Sequence, residues 1–372
     1  IRDSSVTGVQ TCALPISVYR HAYAEPLCGP SRATILTGRY VFRTGATNQD
    51  ATGRFTPKAE TMTPAVLKTA GYVTSSIGKW GQLPLGPADF GFDDYFRFSG
   101  SGAYWKSQGR KGENVEINGR KVPVGDKEYI PELMHTHLVD FLTRHRDRPF
   151  YVYYSLSHVH TDILPTPDSA PDSKNLYADN VAYMDKLVGK LVAELDRLKL
   201  RENTLLVYFG DNGTASMQSD AATIGGRRLN GSKGDMLEGG SRVPLVVNWP
   251  GIVPAGSVAA DLIDSSDFLP TFAELAGAAL PAGKVIDGRS FAAQLRGQPA
   301  AGREWVFIQL AKGASVNQIA DMLNISPRTV GTHLYNVKQK LGVANQAELA
   351  LIAVRHGLIE DRKSIRLNSS HT

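Results

Sequence analysis

The residue best placed to take part in catalysis is Cys28, because residues typical of a helix start follow it directly. Pro30 suits the first turn of a helix, where its missing N–H costs nothing, and Gly38 suits the helix end. Cys28 is therefore predicted to lie at a helix N-terminus, where unpaired N–H groups and the helix dipole favour an anion. A nucleophile there would split one substitution into two covalent steps. Packing as a small hydrophobic residue is the structural alternative.

A second group of candidate residues follows a predicted helix and strand. Apolar residues recur at helical spacing over 177–200, and the apolar run 205–209 predicts a strand that ends in Gly210, Asp211, Asn212 and Gly213. Ligand groups gather beyond the carboxyl ends of strands in α/β sheets. Carboxylate and amide oxygens in that place are hard ligands suited to calcium or magnesium. An ordinary turn is the alternative interpretation of the same four residues.

Further polar residues stand at the ends of other apolar runs. Lys79 follows one such run, and Lys233 lies in a glycine-containing loop ahead of a predicted strand over 245–249. The predicted strand 150–155 is followed by His158 and His160. An imidazole with a pKa near 6.5 suits general-acid chemistry, and we take His160 as the candidate. His158 competes for that role, and a structural hydrogen-bonding role stays open for either histidine.

The order of these segments resembles that of the type I sulfatases. The similar segments are Cys28 to Arg39, Gly78-Lys79-Trp80, the histidine segment, Gly210 to Gly213, and Gly231 to Pro244 with its Glu-Gly-Gly-x-Arg-x-Pro pattern. The resemblance runs from about residue 18 to residue 309. It implies an α/β fold, an alkaline-phosphatase-like α/β/α sandwich with a central mixed sheet. It also implies a sulfuric ester hydrolase.

The resemblance further implies a role for each matching residue. Cys28 becomes formylglycine, whose hydrate attacks sulfur with one hydroxyl and expels sulfate on losing the proton of the other. Arg32 orients this nucleophile. Lys79, Lys233 and His160 hold sulfate, with His160 also protonating the leaving oxygen. Asp211 and Asn212 bind Ca²⁺ or Mg²⁺. The implied partners are a sulfate ester substrate and a formylglycine-generating or sulfatase-maturing enzyme.

Two features depart from the family pattern. Sulfatases of this type open with a strand that carries two adjacent aspartates, whereas Asp3 is the one aspartate among the 27 residues before Cys28. The pair Asp93-Asp94 is an alternative, but its surroundings predict a turn beside a strand. Gly81 replaces the family's histidine after the lysine, and Gln82 beside it cannot act as a base. Because cation affinity falls with ligand count, we expect weak metal binding and an inactive enzyme.

A different module is predicted over 313–359. Apolar residues at helical spacing in 315–323 and 329–341 flank a turn in which Ser326 and Pro327 start the second helix. The pattern from Ile319 to His333, and Lys340 to Asn345 after it, resembles the LuxR-type (GerE) helix-turn-helix domain. That resemblance implies binding to double-stranded DNA through the second helix. The residues on its exposed face are Thr329, Thr332, His333, Tyr335, Asn336 and Lys338.

The length and composition limit the classes of protein to which this chain can belong. With 372 residues, 42% of them hydrophobic, the chain is long enough for a large core and one small extra domain. The two cysteines give no disulfide framework, and no apolar run is long enough to span a membrane. Over 311–359 five basic and two acidic residues give a net charge of +3, and this modest excess supports nucleic-acid binding only weakly. Localisation stays open, since sulfatases are often exported and LuxR-type regulators act in the cytoplasm.

Both ends of the chain match neither module. Residues 1–16 and 360–372 lack hydrophobic periodicity and resemble translated sequencing-adapter sequence. We therefore divide the chain into an adapter-like tail (1–16), a sulfatase domain (17–309) without its first strand and C-terminal subdomain, the helix-turn-helix (313–359) and a second tail. One hypothesis is a chimeric reading frame joined between residues 308 and 313, with no integrated function. The others are a natural fusion and a DNA-binding regulator with an inert sulfatase portion.

Overall fold

The structure, a computed structural model, describes residues 16–47, 55–80, 83–108, 115–219, 223–224 and 227–309. The strands are β1 (Ile16–Tyr23), β2 (Val73–Lys79), β3 (Asp94–Phe98), β4 (Val115–Ile117), β5 (Arg120–Val122), β6 (Phe150–Ser155), β7 (Leu206–Phe209), β8 (Thr223–Ile224), β9 (Arg227–Arg228), β10 (Arg242–Asn248) and β11 (Ser257–Asp264). The α-helices are α1 (Cys28–Thr37), α2 (Val41–Thr44), α3 (Thr63–Lys68), α4 (Ile130–Arg144), α5 (Leu176–Arg197), α6 (Ser216–Ser219), α7 (Glu238–Ser241), α8 (Phe268–Ala276) and α9 (Ala292–Leu295).

The strands form two main sheets and one short hairpin. The first sheet has the order β11-β1-β10-β7, and the second has the order β5-β4-β3-β2-β6. β2 runs parallel to both β3 and β6, whereas β10 is antiparallel to β1 and β7. The mixed character predicted for the central sheet is confirmed. In the part of the chain that the structure describes, however, that sheet comes in two pieces whose facing ends are β6 and β7.

Helices cover both faces of the sheets. On one face, Met134 and Leu138 of α4 and Leu195 of α5 pack with Ile77 of β2. On the other face, α1, α3 and α8 contact one another, with Val66 and Leu269 in a common cluster. Burying each of these aliphatic side chains contributes about 1.5–3 kcal/mol. The result is the α/β/α arrangement that the resemblance implies.

Helix α1 places the candidate nucleophile. All ten of its residues are buried, and it begins at Cys28 as predicted. Gly38 ends the helix in the left-handed conformation, and its N–H donates to the Thr34 carbonyl oxygen at 2.9 Å. The Ser31 hydroxyl donates to the Glu25 carbonyl oxygen at 2.9 Å, which ties the first turn to the incoming chain. Cys28 therefore has a fixed place at the helix start.

The other predicted helices and strands lie close to those in the structure. The strand over 150–155 is β6, the strand over 205–209 is β7, and the helix over 177–200 is α5, which ends before Lys199 with its φ of 58°. The strand expected at 245–249 begins earlier, at Arg242, and includes Pro244. Proline is tolerated there because the pairing of β10 with β1 shifts register across that position. β7 also ends opposite Leu245, one residue short of Pro244.

Several predictions concern residues outside the described ranges. They are Gly81 and Gln82, the helix-turn-helix over 313–359, the tail 360–372 and most of the tail 1–16, of which Ile16 already belongs to β1. Across residues 16–309, where described, no helix combines the length and the apolar character needed to cross a membrane.

Candidate active site

Four strand and helix ends meet at one place. Cys28 opens α1, Lys79 closes β2, Ser155 closes β6, and Asp211 follows β7. Lys79, Ser155 and Asp211 line one cavity, and Cys28 is fully buried. Polar side chains therefore gather beyond the carboxyl ends of these strands, where ligand groups are expected.

Arg32 holds these ends together. It lies one turn after Cys28 and its side chain is almost fully buried. Its Nη1 atom donates to the Lys79 carbonyl oxygen at 2.6 Å and to Ser155 Oγ at 3.2 Å. Its Nε atom lies 3.4 Å from Asp211 Oδ2. One guanidinium thus links the ends of β2, β6 and β7, which is a bracing role in addition to the orienting role expected from the resemblance.

Cys28 lies in a cationic environment. Burial by itself raises the pKa of its thiol, and Asp211 adds to that rise. Lys79, with weaker help from Lys233 and Arg32, outweighs both, so the pKa ends below its usual value. Negative charge at this position is stabilised, which is the property that a nucleophile needs.

Lys79 and Lys233 approach the site from different chain segments. Burial lowers the pKa of Lys79, while Asp211 and Cys28 partly offset that effect. Gly78 allows β2 to pass close to β6: its φ is 105°, and a Cβ atom there would lie 2.1 Å from the Ser155 carbonyl oxygen. The Lys233 N–H donates to the Thr214 carbonyl oxygen at 2.8 Å, which fixes its loop beside the Asp211 turn.

His158 and His160 have different surroundings in the structure. Burial, followed by the charges of Lys79 and Lys233, lowers the pKa of His160 to about 4. Burial also lowers the pKa of His158, to about 3, but its Nε2 atom instead forms a 2.9 Å hydrogen bond with the Tyr129 hydroxyl group. His158 is enclosed by Tyr104, Tyr129 and Tyr183. The geometry therefore favours His160 as the site residue and His158 as a structural one.

Asp211 and Asn212 have the properties expected of cation ligands. Burial would raise the pKa of Asp211, but Lys79, Arg32 and Lys233 hold it below its usual value, so it is ionised. Asn212 Oδ1 is buried without a hydrogen-bond partner, while its Nδ2 atom donates to the Gly213 carbonyl oxygen at 2.8 Å. Two hard oxygen donors fit Ca²⁺ or Mg²⁺. Across the described residues, however, no group of three or more acidic, histidine or cysteine side chains could complete such a site.

The pair Asp93-Asp94 does not contribute to this site. Asp94 starts β3 beside Ser75 of β2, whereas Lys79 pairs with Phe98 at the other end of both strands. Its carboxylate accepts hydrogen bonds from Ser75 Oγ at 2.9 Å and Asn118 Nδ2 at 2.9 Å, and it contacts His137 Nε2 at 2.7 Å. Asp93 pairs with Lys68. Both carboxylates make structural contacts, but the predicted turn is shorter than expected, since Asp94 already belongs to β3.

Two residues of the site were missed from the sequence. Ser155 supports Arg32, and a polar residue that ends an apolar strand was a usable signal for it. The Tyr104 hydroxyl lies 3.0 Å from both the Ser157 and the His160 carbonyl oxygens. No local pattern marks Tyr104, because its partners lie more than fifty residues away in the chain.

Three family models match parts of this chain. The sulfatase family model matches residues 13–278, and the model of the N-sulphoglucosamine sulphohydrolase C-terminal region matches 232–326. The model of the bacterial regulatory proteins of the luxR family matches 302–353.

Individual relatives cover most of this chain. N-acetylgalactosamine-6-sulfatase of Canis lupus familiaris is 33% identical over 303 residues, which span 71% of this chain and 56% of the relative. Arylsulfatase G of Mus musculus is 32% identical over 335 residues, or 77% and 63% of the two chains. This chain therefore spans somewhat more than half the length of these curated relatives.

Solved structures show the same fold. The chain is similar to Ps i-CgsB in complex with k-i-k-neocarrahexaose, with a TM-score of 0.65 and 28% identity over 77% of this chain and 70% of the other. It is also similar to the PsFucS1 sulfatase from Pseudoalteromonas sp., with a TM-score of 0.67 and 26% identity over 81% and 68% of the two chains. Because the sulfatase family model matches more than half of its length and its fold is similar to theirs, this chain belongs to the sulfatase family.

Proposed function

We propose that residues 17–309 form the catalytic core of a sulfuric ester hydrolase whose nucleophile is made from Cys28. The supporting observation is the placement of Cys28, buried at the start of α1 with Lys79, Lys233 and Arg32 acting on its charge. Family membership implies, in general, a cysteine-derived formylglycine and a divalent cation. Formylglycine would supply a hydrated aldehyde as nucleophile.

The surrounding side chains provide an anion site. Lys79 and Lys233 would bind the sulfate oxygens, and Arg32 would hold the start of α1 against β2 and β6. Burial is the largest cause of the low pKa of His160, and a bound sulfate ester would offset the further contribution of Lys79 and Lys233. His160 would deliver a proton to the leaving oxygen.

A divalent cation would be held by Asp211 and Asn212, and we assign it as Ca²⁺ or Mg²⁺ from the oxygen character of these ligands. Such an ion would polarise a sulfate oxygen. With two protein ligands supplied by the described residues, we expect weak binding.

Conversion of Cys28 would require a formylglycine-generating or sulfatase-maturing enzyme. Cys28 is fully buried in the folded chain, so that enzyme could reach it only before α1 packs into place.

An aryl sulfate assay with added Ca²⁺ tests the proposal, with intact-mass analysis to measure the conversion of Cys28. We expect low turnover that Cys28→Ala abolishes. Turnover that persists in Cys28→Ala would refute the role of Cys28. Strong turnover that depends on the metal and is lost in Cys28→Ala would refute the expectation of weak cation binding.

The luxR family match supports a second candidate function, binding of double-stranded DNA through residues 313–359. The sulfatase fold extends to the edge of this region: the Gln309 N–H donates to Glu25 Oε2 at 2.9 Å, and Arg303 is buried against Asp267. We therefore keep the boundary between residues 309 and 313. Salt-dependent duplex binding that survives Cys28→Ala and falls on Lys338→Ala would support this function. Sequencing of source DNA across codons 300–320 distinguishes a natural fusion from a chimeric reading frame.

A further inference from the structure

Gly102 packs directly against the side chain of His160. A Cβ atom at Gly102 would lie 3.0 Å from His160 Cβ and 3.4 Å from His160 Cγ, closer than the optimum of about 3.5–4.0 Å between carbon atoms. The φ angle of Gly102 lies outside the left-handed region, so its backbone would accept alanine. The place of His160, rather than the backbone conformation, therefore calls for a glycine here.

The segment that carries Gly102 is firmly held. Residues 101–104 are all buried, with Ala103 and Tyr104 at 0% exposure. Ala103 joins the core cluster that contains Ile130 of α4, and the Ile130 N–H donates to the Tyr104 carbonyl oxygen at 2.8 Å. Close-packed interiors yield little to an added atom. A methyl group at Gly102 would therefore displace His160 rather than this segment.

The backbone of His160 is held as well, so the displacement would fall on its ring. The His160 N–H donates to the Ser157 carbonyl oxygen at 3.0 Å. The Tyr104 hydroxyl lies 3.0 Å from the carbonyl oxygens of both residues. By contrast, the His160 side chain borders a cavity of about 1590 Å³. A methyl group at Gly102 would therefore move the imidazole towards this cavity.

The two ring nitrogens of His160 have different roles. Its Nδ1 atom is hydrogen-bonded to the Thr161 carbonyl oxygen, which can only accept, so Nδ1 carries hydrogen. The pKa of about 4, set by burial and then by Lys79 and Lys233, leaves the ring neutral at pH 7. A neutral imidazole has a single N–H group. Nε2 therefore carries a lone pair and is the nitrogen left to exchange a proton with a ligand.

We propose that Gly102 is a positioning residue for His160, which holds the imidazole with Nδ1 on the Thr161 carbonyl oxygen and Nε2 available to the substrate. In the reaction, Nε2 takes a proton from solvent and the Nε2–H bond then breaks as an O–H bond forms. The electron pair of the S–O bond stays on the leaving oxygen, and the ring returns to its neutral form. This step rests on the proposed function, whereas the packing and the tautomer do not.

Nitrogen NMR of the full chain at pH 7 reads the tautomer, because a ring nitrogen with hydrogen and one with a lone pair resonate far apart. We expect the Nδ1–H tautomer of His160 in the unaltered chain. In Gly102→Ala, the ratio of the two tautomers should change about threefold to tenfold, since the Nδ1 hydrogen bond is weakened. An Nε2–H tautomer in the unaltered chain would overturn the assignment of the nitrogens. Unchanged His160 signals in Gly102→Ala would overturn the positioning role.

Two controls isolate the effect on His160. Gly189→Ala is the matched variant, because Gly189 is exposed on α5 with nothing within 4 Å of its missing Cβ, and we expect no change in His160. His158 is an internal reference, since its Nε2 atom is held by the Tyr129 hydroxyl. Its signals should stay the same in Gly102→Ala. Equal changes in both histidines, or loss of the fold by far-UV circular dichroism, would show a general structural role and overturn the specific one.

Addition of inorganic sulfate separates this proposal from the proposed function. Sulfate bound by Lys79 and Lys233 should shift the Nε2 signal of His160 and leave that of His158 unchanged. No shift would count against the sulfate site, while a changed tautomer ratio in Gly102→Ala would still support the positioning role. A sulfate-induced shift that is the same in both chains, with one tautomer ratio, would support the sulfate site and overturn the role of Gly102.

Discussion

Replacing Arg303 tests whether the sulfatase fold includes the chain up to residue 309. The side chains of Arg303 and Asp267 are 3% and 2% exposed, and Arg303 also donates to the Tyr40 hydroxyl at 3.0 Å. Asp267 lies beside a second buried carboxylate, Asp264, whose pKa burial and Asp267 raise to about 6. Arg303→Ala would leave two buried carboxylates without their cation. Removal of one partner from a buried ion pair costs about 3–5 kcal/mol.

That loss is a large part of an ordinary stability of about 5–15 kcal/mol. At about 2–4 °C per kcal/mol for a domain of this size, the melting temperature should fall by roughly 6–20 °C. Thermal unfolding measures the change. Arg296→Ala is the matched control, because its ion pair with Glu274 is 38% and 52% exposed and is worth about 1 kcal/mol or less. Equal shifts in the two variants would refute the reasoning and exclude residues 303–309 from the fold.

Three further predictions concern the supports of the site. Gly78→Ala should destabilise the chain by at least about 2 kcal/mol, since φ is 105° and the new Cβ would meet the Ser155 carbonyl. Tyr104→Phe removes the donor to two carbonyl oxygens and should cost about 1–3 kcal/mol and shift the imidazole NMR signals of His160. Hydrogen bonds to His137, Asn118 and Ser75 outweigh burial and lower the pKa of Asp94, so its stabilising contribution is present above about pH 4 and lost as the pH falls. Asp94→Asn should therefore flatten the acid side of the stability profile.

Each of these three predictions has a result that would contradict it. Gly71 has a φ of 83° with nothing near its missing Cβ, so Gly71→Ala measures the backbone cost alone. An equal loss in both glycine variants would contradict the close approach of β2 to β6. Unchanged His160 signals in Tyr104→Phe would contradict positioning through the backbone. A parallel acid profile in Asp94→Asn would show that this carboxylate has the same pKa in the folded and unfolded chain.

The parts of the site that follow local sequence rules could be predicted. Pro30 and Gly38 delimit a helix that starts at Cys28, and a polar turn after an apolar strand marked Asp211 and Asn212. The α/β class followed from the resemblance to the sulfatases that these segments carry. These features depend on residues within a few positions of one another, where propensity and capping act directly.

Other features depend on partners far apart in the chain. Arg303 meets Tyr40 across 263 positions, and Tyr104 meets His160 across 56. The facing edges of β6 and β7 come from which strands pair, and apolar strand patterns do not specify their neighbours. Pairings of this kind are set by the packing of the whole core, so a single sequence does not reveal them.

The burial of α1 also has a consequence for the timing of folding during synthesis. This helix packs against α3 and against α8, whose first residue follows Cys28 by about 240 positions. At about 5–20 residues per second, a ribosome needs roughly 12–48 s to make that stretch. Throughout that interval α8 does not yet exist, so α1 lacks one of the helices that pack against it. The distance along the chain between α1 and α8 would thus give the proposed maturing enzyme tens of seconds in which α1 is not yet fully packed.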